Sequence, residues 1–171
     1  MNVKINPMSD ADSTFKDRNV NRENAAEIIA IDFFKSMNIG YIRYGFDEKF
    51  QRVDSRQWWK IPEVIRSAPD FIAFGRTVAF VEAKGYKKEL KIKINDLVSY
   101  EHWNRILPLF LFVRNFDNSN QYYLKWDNVK SIIYGCDTEK YNNGKTYFIL
   151  PENELVILNN EKKKAVLRYN G

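Results

Sequence analysis

The stretch Pro69-Asp70-Phe71-Ile72-Ala73-Phe74-Gly75-Arg76-Thr77-Val78-Ala79-Phe80-Val81-Glu82-Ala83-Lys84 decides the fold. Two strand-like runs, Asp70 to Phe74 and Val78 to Lys84, are separated only by Gly75-Arg76-Thr77, which predicts a β-hairpin. Val78 to Val81 are apolar on both faces, the pattern of a central strand. That strand ends in Glu82 and Lys84, which share a face because strand side chains repeat every two residues. A carboxylate and an ammonium at the end of a buried strand are costly unless each is paired or bound to a metal.

Whether Asp70 joins them turns on register. A two-residue turn at Gly75-Arg76 pairs Asp70 with Val81 and sends it to the opposite face. A three-residue turn over 75–77 pairs Asp70 with Glu82, and this odd-length turn, or a bulge of the same parity, is the expectation. Two carboxylates converging at a strand end, completed by a backbone carbonyl and water, suit a hard cation such as Mg²⁺ or Mn²⁺. Such a cation polarises a phosphate and lowers the pKa of a bound water. Lys84 beside it would orient that water or stabilise charge developing on phosphorus. The plainer alternatives are that Asp70 simply opens a strand after Pro69 and that Glu82 and Lys84 are a solvated strand end.

Outward from the hairpin, Ala26, Ile29, Ala30, Phe33 and Met37 recur at spacings of three and four, predicting a helix from about Asn21 that stops at Gly40. Tyr41 to Tyr44 reads as a short strand. Residues 45–67 read as an irregular insertion carrying Trp58-Trp59, with a short helix near Pro62 to Arg66. After the hairpin, Lys87 to Lys93 is a basic stretch, and Asn95 caps a second helix that runs to about Ile106 before Pro108. Leu109 to Val113 predicts a buried strand. Gln121–Trp126, Tyr147–Leu150, Leu155–Leu158 and Ala165–Tyr169 read as further short strands. The order predicts an α/β (α+β) domain over 21–171, with a core at about 21–114, a β-rich extension at 115–171 and a flexible arm at 1–20.

With 171 residues, 44% of them hydrophobic, the chain can bury a core. Its net charge of +5 favours anionic partners. Cys136 is the only cysteine and His102 the only histidine, which excludes an intrachain disulfide and a His/Cys zinc site. The polar N-terminus has no signal-peptide core, and the longest apolar run, near Leu107 to Val113, is too short to span a bilayer, so no membrane role and a cytoplasmic location are expected.

Ser67-Ala68-Pro69-Asp70-Phe71, followed by Val81-Glu82-Ala83-Lys84, resembles the signature of the PD-(D/E)xK nuclease superfamily, and the helix–three strands–helix–strand order over roughly 21–114 is similar to that family's core. The resemblance, closest to small phage and recombination nucleases, implies a restriction-endonuclease-like fold: a central mixed β-sheet flanked by helices, here with the β-rich C-terminal extension. It implies metal-dependent hydrolysis of phosphodiester bonds in DNA, in recombination, repair or phage DNA processing. Asp70, Glu82 and the Ala83 backbone carbonyl would hold Mg²⁺ or Mn²⁺, with Lys84 assisting the attacking water. In such nucleases a first-helix Glu often joins the site; Glu27 holds that position, and Glu23, one turn earlier, is the alternative. A Gln or Lys often opens the second helix; no Gln stands there, and Lys93 is the substitute. Small members often pair, which makes a homodimer an expectation.

Lys87, Lys88, Lys91 and Lys93 are either phosphate contacts or a solvated charge run. Lys162-Lys163-Lys164 most resembles a charged turn. Trp58 and Trp59 either stack on unpaired bases or pack in the core, whereas Tyr100 and Trp103 read as core and His102 as a surface or packing residue. Two other readings stand beside the enzyme: a nucleic-acid-binding module of the same fold that has lost catalysis, and a partner-binding subunit of a larger complex. The intact Asp70, Glu82 and Lys84 favour the enzyme.

Overall fold

Phe71 and Ala73 are buried on one side of strand β2 (Phe71–Phe74), and Val81 lies beside them on β3 (Val78–Tyr86). The period of two thus gives the hairpin one apolar face against a helix. The structure, a computed structural model, describes residues 25–45, 55–142 and 144–158. Five expectations fall outside those residues: the arm at 1–20, Glu23, the helix start near Asn21, Lys162–Lys164 and the strand at Ala165–Tyr169.

Helix α1 covers 25–36 and is followed by β1 (Gly40–Arg43). The insertion holds two single-turn helices, α2 (Ser55–Trp58) and α3 (Glu63–Arg66), the first of which the sequence did not signal. After the hairpin come β4 (Leu90–Lys93), α4 (Ile94–Asn104), β5 (Leu109–Asn115) and β6 (Gln121–Lys125). Then follow α5 (Trp126–Ile133), β7 (Thr138–Lys140), β8 (Thr146–Leu150) and α6 at 152–158. Among the described residues, no helix is long and apolar enough to cross a membrane.

The main sheet has the order β1-β2-β3-β5-β6, antiparallel except for the parallel pair β3 and β5. It is therefore a mixed sheet with β3 at its centre, and helices cover both faces. On one face Phe71, Ala73, Val81 and Phe112 pack against Ala30 and Phe34 of α1. The Phe34 ring meets the Phe71 ring edge-on at 5.5 Å. On the other face Phe80, Leu109, Leu111, Val113, Tyr122 and Leu124 join Tyr100 and Trp103 of α4 and Trp126 and Val129 of α5. Burying each large apolar side chain contributes about 1.5–3 kcal/mol.

Four expectations are corrected. Lys87 to Lys93 is more than a basic stretch: its second half is β4, whose Leu90 and Ile92 are buried while Lys91 and Lys93 face outward. Leu155 to Leu158 is not a strand but the end of α6, which follows Pro151 and buries Leu155 and Leu158 four and seven residues along. Short apolar runs fit either period, and here the helix start at Pro151-Glu152 decides. The extension after 115 is mixed, with β6 joining the main sheet, α5 and α6 packing on the core, and β7 and β8 pairing with β4 as a second sheet of order β4-β8-β7. Met37 is also 59% exposed and lies past the helix end, so the apolar stripe of α1 closes with Phe34 instead.

Glu152 opens α6 and ties it to the β5–β6 turn. Its carboxylate accepts from the side-chain amides of Asn115, Asn118 and Asn120 at 3.1, 2.9 and 3.0 Å, and from the Tyr122 hydroxyl at 2.7 Å. Those four donors hold its pKa down at about 2.

Candidate active site

The β2–β3 register runs Phe71↔Val81 to Phe74↔Val78, leaving the three residues 75–77 as the turn. This is the expected odd parity. Continued by one residue, the register sets Asp70 opposite Glu82, and both lie on the α4 face with Phe80 and Lys84. The backbone of Asp70 is fixed from the other side, where its carbonyl accepts from Tyr44 N–H at 2.8 Å and from Gly45 N–H at 3.3 Å. A Cβ on Gly45 would stand 3.2 Å from the Asp70 Cα and 3.3 Å from the Pro69 oxygen, so glycine permits that close approach.

Three groups interlock at the strand end. Asp70 Oδ2 accepts the Ala83 N–H at 2.7 Å. Lys84 Nζ lies 2.7 Å from Glu82 Oε1 and 3.7 Å from Asp96 Oδ2. Tyr100 donates its hydroxyl to Glu82 Oε1 at 3.2 Å. Asp96 and Tyr100 are four apart on α4, so they share a helix face. The Tyr100 ring is held edge-on by Trp126 at 5.0 Å, whose indole N–H donates to Glu101 at 2.7 Å.

The electrostatics follow from crowding. Burial and then the Glu82 carboxylate push Asp70 well above the usual carboxylate range, against the Ala83 N–H and Lys84, with Glu27 adding a smaller push. Burial would lower the Lys84 ammonium, but Glu82, Tyr100 and Asp96 outweigh it and hold the group above its ordinary value. Burial and Glu82 likewise raise Tyr100, which keeps it a neutral donor.

These residues open into a cleft of about 420 Å³ whose lining brings Glu27, Asp70, Glu82, Ala83 and Lys84 together with Glu89, Lys91, Lys93, Asp96 and Tyr141. Glu27 thus reaches the same cleft, where Arg43 engages its carboxylate. Among the described residues, no three His, Cys, Asp or Glu side chains are gathered closely enough to hold an ion by themselves. The side chains brought together on this face, Asp70 and Glu82, offer only oxygens, and their crowded charge is the kind that a hard cation relieves.

The other candidates divide. Lys91 and Lys93 line the cleft, but Lys91 is engaged: its Nζ donates to the Tyr147 hydroxyl at 2.9 Å and lies 3.9 Å from both Glu89 and Glu139. Lys93 is exposed, at the junction of β4 and α4. Lys87 and Lys88 are exposed on the turn after β3 and are not among the cleft-lining residues. Neither is Trp58 or Trp59; Trp59 is 68% exposed, with the Arg66 guanidinium 4.4 Å over its ring. Trp103 is core, donating its indole N–H to the Val64 carbonyl at 3.1 Å, and His102 is exposed. Tyr100 is core as expected and also reaches Glu82. The sequence reading missed Asp96 and Tyr141; the four-residue spacing of Asp96 and Tyr100 was the signal for the first.

No protein-family model and no curated protein matches the chain. Among solved structures, it is similar to Hjc, a Holliday junction resolvase of the archaeal hyperthermophile Archaeoglobus fulgidus, at 12% identity with a TM-score of 0.46 over 77% of this chain and 91% of that one.

Proposed function

We propose that this chain is a metal-dependent nuclease that hydrolyses phosphodiester bonds in DNA, in the setting of recombination, repair or phage DNA processing. The observation that carries the reading is the hairpin register, which puts Asp70 and Glu82 across from one another and Lys84 on the same face, at the mouth of one cleft.

Asp70, Glu82 and the Ala83 carbonyl would hold Mg²⁺ or Mn²⁺, with Glu27 completing the shell directly or through water. The bound ion supplies Lewis-acid polarisation of the phosphate and a more acidic water. Lys84 carries a fixed positive charge beside that position. It orients the attacking water and stabilises the negative charge that grows on the phosphoryl oxygens. Tyr100 and Asp96 position the pair, one by holding Glu82 and the other by drawing Lys84 toward α4. Lys93, exposed and lining the same cleft, takes a neighbouring phosphate without reading sequence.

The test is incubation of the protein with supercoiled, single-stranded and branched DNA in Mg²⁺, Mn²⁺ or EDTA, beside Asp70→Ala. Cleavage that needs the metal and is lost in Asp70→Ala is the expected result. No cleavage of any substrate, or equal cleavage by Asp70→Ala, sinks the reading.

A further inference from the structure

The second sheet contributes Lys91 and Lys93 to the lining of the same cleft. On β4 the buried Leu90 and Ile92 alternate with Lys91 and Lys93, so both lysines stand on the other face. The register pairs Lys93 with Tyr147 of β8, and Tyr147 with Glu139 of β7, which places all of these on that same face. Tyr147 is pinned: Lys91 donates to its hydroxyl at 2.9 Å, and that hydroxyl donates to Glu139 at 2.6 Å. Its ring is a fixed support for Tyr141, whose ring centroid lies 4.2 Å away.

Tyr141 opens the β7–β8 turn. Its N–H donates to the Lys145 carbonyl at 2.9 Å, and its carbonyl accepts from Gly144 N–H at 2.8 Å, where Gly144 takes φ of 80°. Positive φ suits glycine and closes the turn tightly. The backbone of Tyr141 is thus fixed by the turn and its ring by Tyr147, while the residue lines the same cleft as Lys84.

We infer that Tyr141 is a substrate-contacting residue of the proposed nuclease, its hydroxyl donating a hydrogen bond to a non-bridging phosphate oxygen of the DNA strand held in the cleft, next to the phosphate taken by Lys93. The inference rests on the nuclease reading and adds to it a donor from the C-terminal part of the chain. Burial raises the Tyr141 hydroxyl against the pull of Lys91 and Lys84, so it remains a protonated donor throughout the neutral range. A cleft lined by this many carboxylates needs such uncharged or cationic donors if a polyanion is to lie in it.

The experiment measures kcat and KM of the wild type, Tyr141→Phe, Tyr141→Ala and Lys93→Gln on one labelled oligonucleotide with Mg²⁺ or Mn²⁺, together with Kd in Ca²⁺ at several salt concentrations. Tyr141→Phe keeps the ring and its packing. It should raise KM and Kd about tenfold, the worth of one hydrogen bond to a charged group, with little change in kcat, Tm or the salt slope. Lys93→Gln should also weaken binding but flatten the slope of log K against log salt by about 0.7–0.9. Wild-type KM and Kd in Tyr141→Phe overturn the inference, and so does a defect confined to Tyr141→Ala, which would assign the ring rather than the hydroxyl. If the wild type cleaves and Tyr141→Phe is unaffected, only this inference falls. If the wild type cleaves nothing with either metal, the nuclease reading falls and takes the inference with it.

Discussion

Asp70→Asn separates the stability of the strand end from its chemistry. Asparagine keeps the shape and the oxygen that accepts the Ala83 N–H but removes the charge facing Glu82. Directly opposed strand residues have Cβ atoms about 5 Å apart. Two unit charges at that separation repel by about 3 kcal/mol at an effective dielectric constant of 20. Lys84, 2.7 Å from Glu82, already offsets part of this, and the upward push that burial and Glu82 give the Asp70 carboxyl lessens the rest. A net gain on the order of 1 kcal/mol remains for the metal-free variant, and at about 2–4 °C per kcal/mol for a chain of this size Tm should rise by a few degrees in EDTA. The wild type should behave oppositely toward metal. At a Mg²⁺ or Mn²⁺ concentration about 100 times Kd, binding stabilises a protein by about 2.7 kcal/mol, or roughly 5–11 °C. Asp70→Asn should lose that shift together with cleavage. Thermal unfolding followed by circular dichroism, with and without metal, reads both. The reasoning is refuted if Asp70→Asn melts lower than wild type in EDTA, or if metal stabilises the variant as much as the wild type.

Other expectations are simpler to state. Lys84→Ala should lower the cleavage rate by about 10²-fold or more while binding of DNA in Ca²⁺ changes little, because its charge matters most when phosphoryl charge develops; single-turnover kinetics measure it. Leu111→Ala empties a fully buried position on β5 and should cost about 2–5 kcal/mol, seen as a lower urea midpoint at unchanged slope. Glu152 has its folded pKa lowered to about 2 from an ordinary 4.5, so its stabilisation is fully present above the ordinary value and is lost as pH falls toward 2. Urea titrations between pH 6 and the onset of acid unfolding, an order-of-magnitude window set by that linkage, should therefore show Glu152→Gln less stable at the upper end and converging with wild type at the lower.

Much of the site was legible because strand periodicity is arithmetic. The parity of Gly75-Arg76-Thr77 fixed which face Asp70 would take, and the apolar Val78–Val81 run marked the central strand on which Glu82 and Lys84 had to end. The same arithmetic was available in Leu90-Lys91-Ile92-Lys93, but the lysines drew the reading toward charge and away from alternation. Trp126, Val129 and Ile133 recur at three and four, a helical spacing that the short β6 run beside it obscured. Leu155 to Leu158 shows the opposite limit, since four apolar residues fit a strand as well as a helix. The roles of Tyr100 and Tyr141 were out of reach for another reason. Each depends on how α4 or the second sheet docks on β3, and such docking is set by packing between elements far apart in sequence. Glu27 lies in the lining of the cleft, but its partner Arg43 lies on β1, and nothing local to the helix announces that pairing.

The second sheet also sets an order of events. Lys91 and Tyr147, which meet across β4 and β8, are 56 residues apart in the chain. The main sheet closes with β6, well before β8 exists on a chain made from its N-terminus. A nascent chain can thus assemble Asp70, Glu82 and Lys84 on a folded sheet before β7 and β8 have formed, since domains fold as they are synthesised and long-range strand pairing comes last. Tyr141, which opens the β7–β8 turn, would then join the cleft after the strand end that carries Asp70, Glu82 and Lys84.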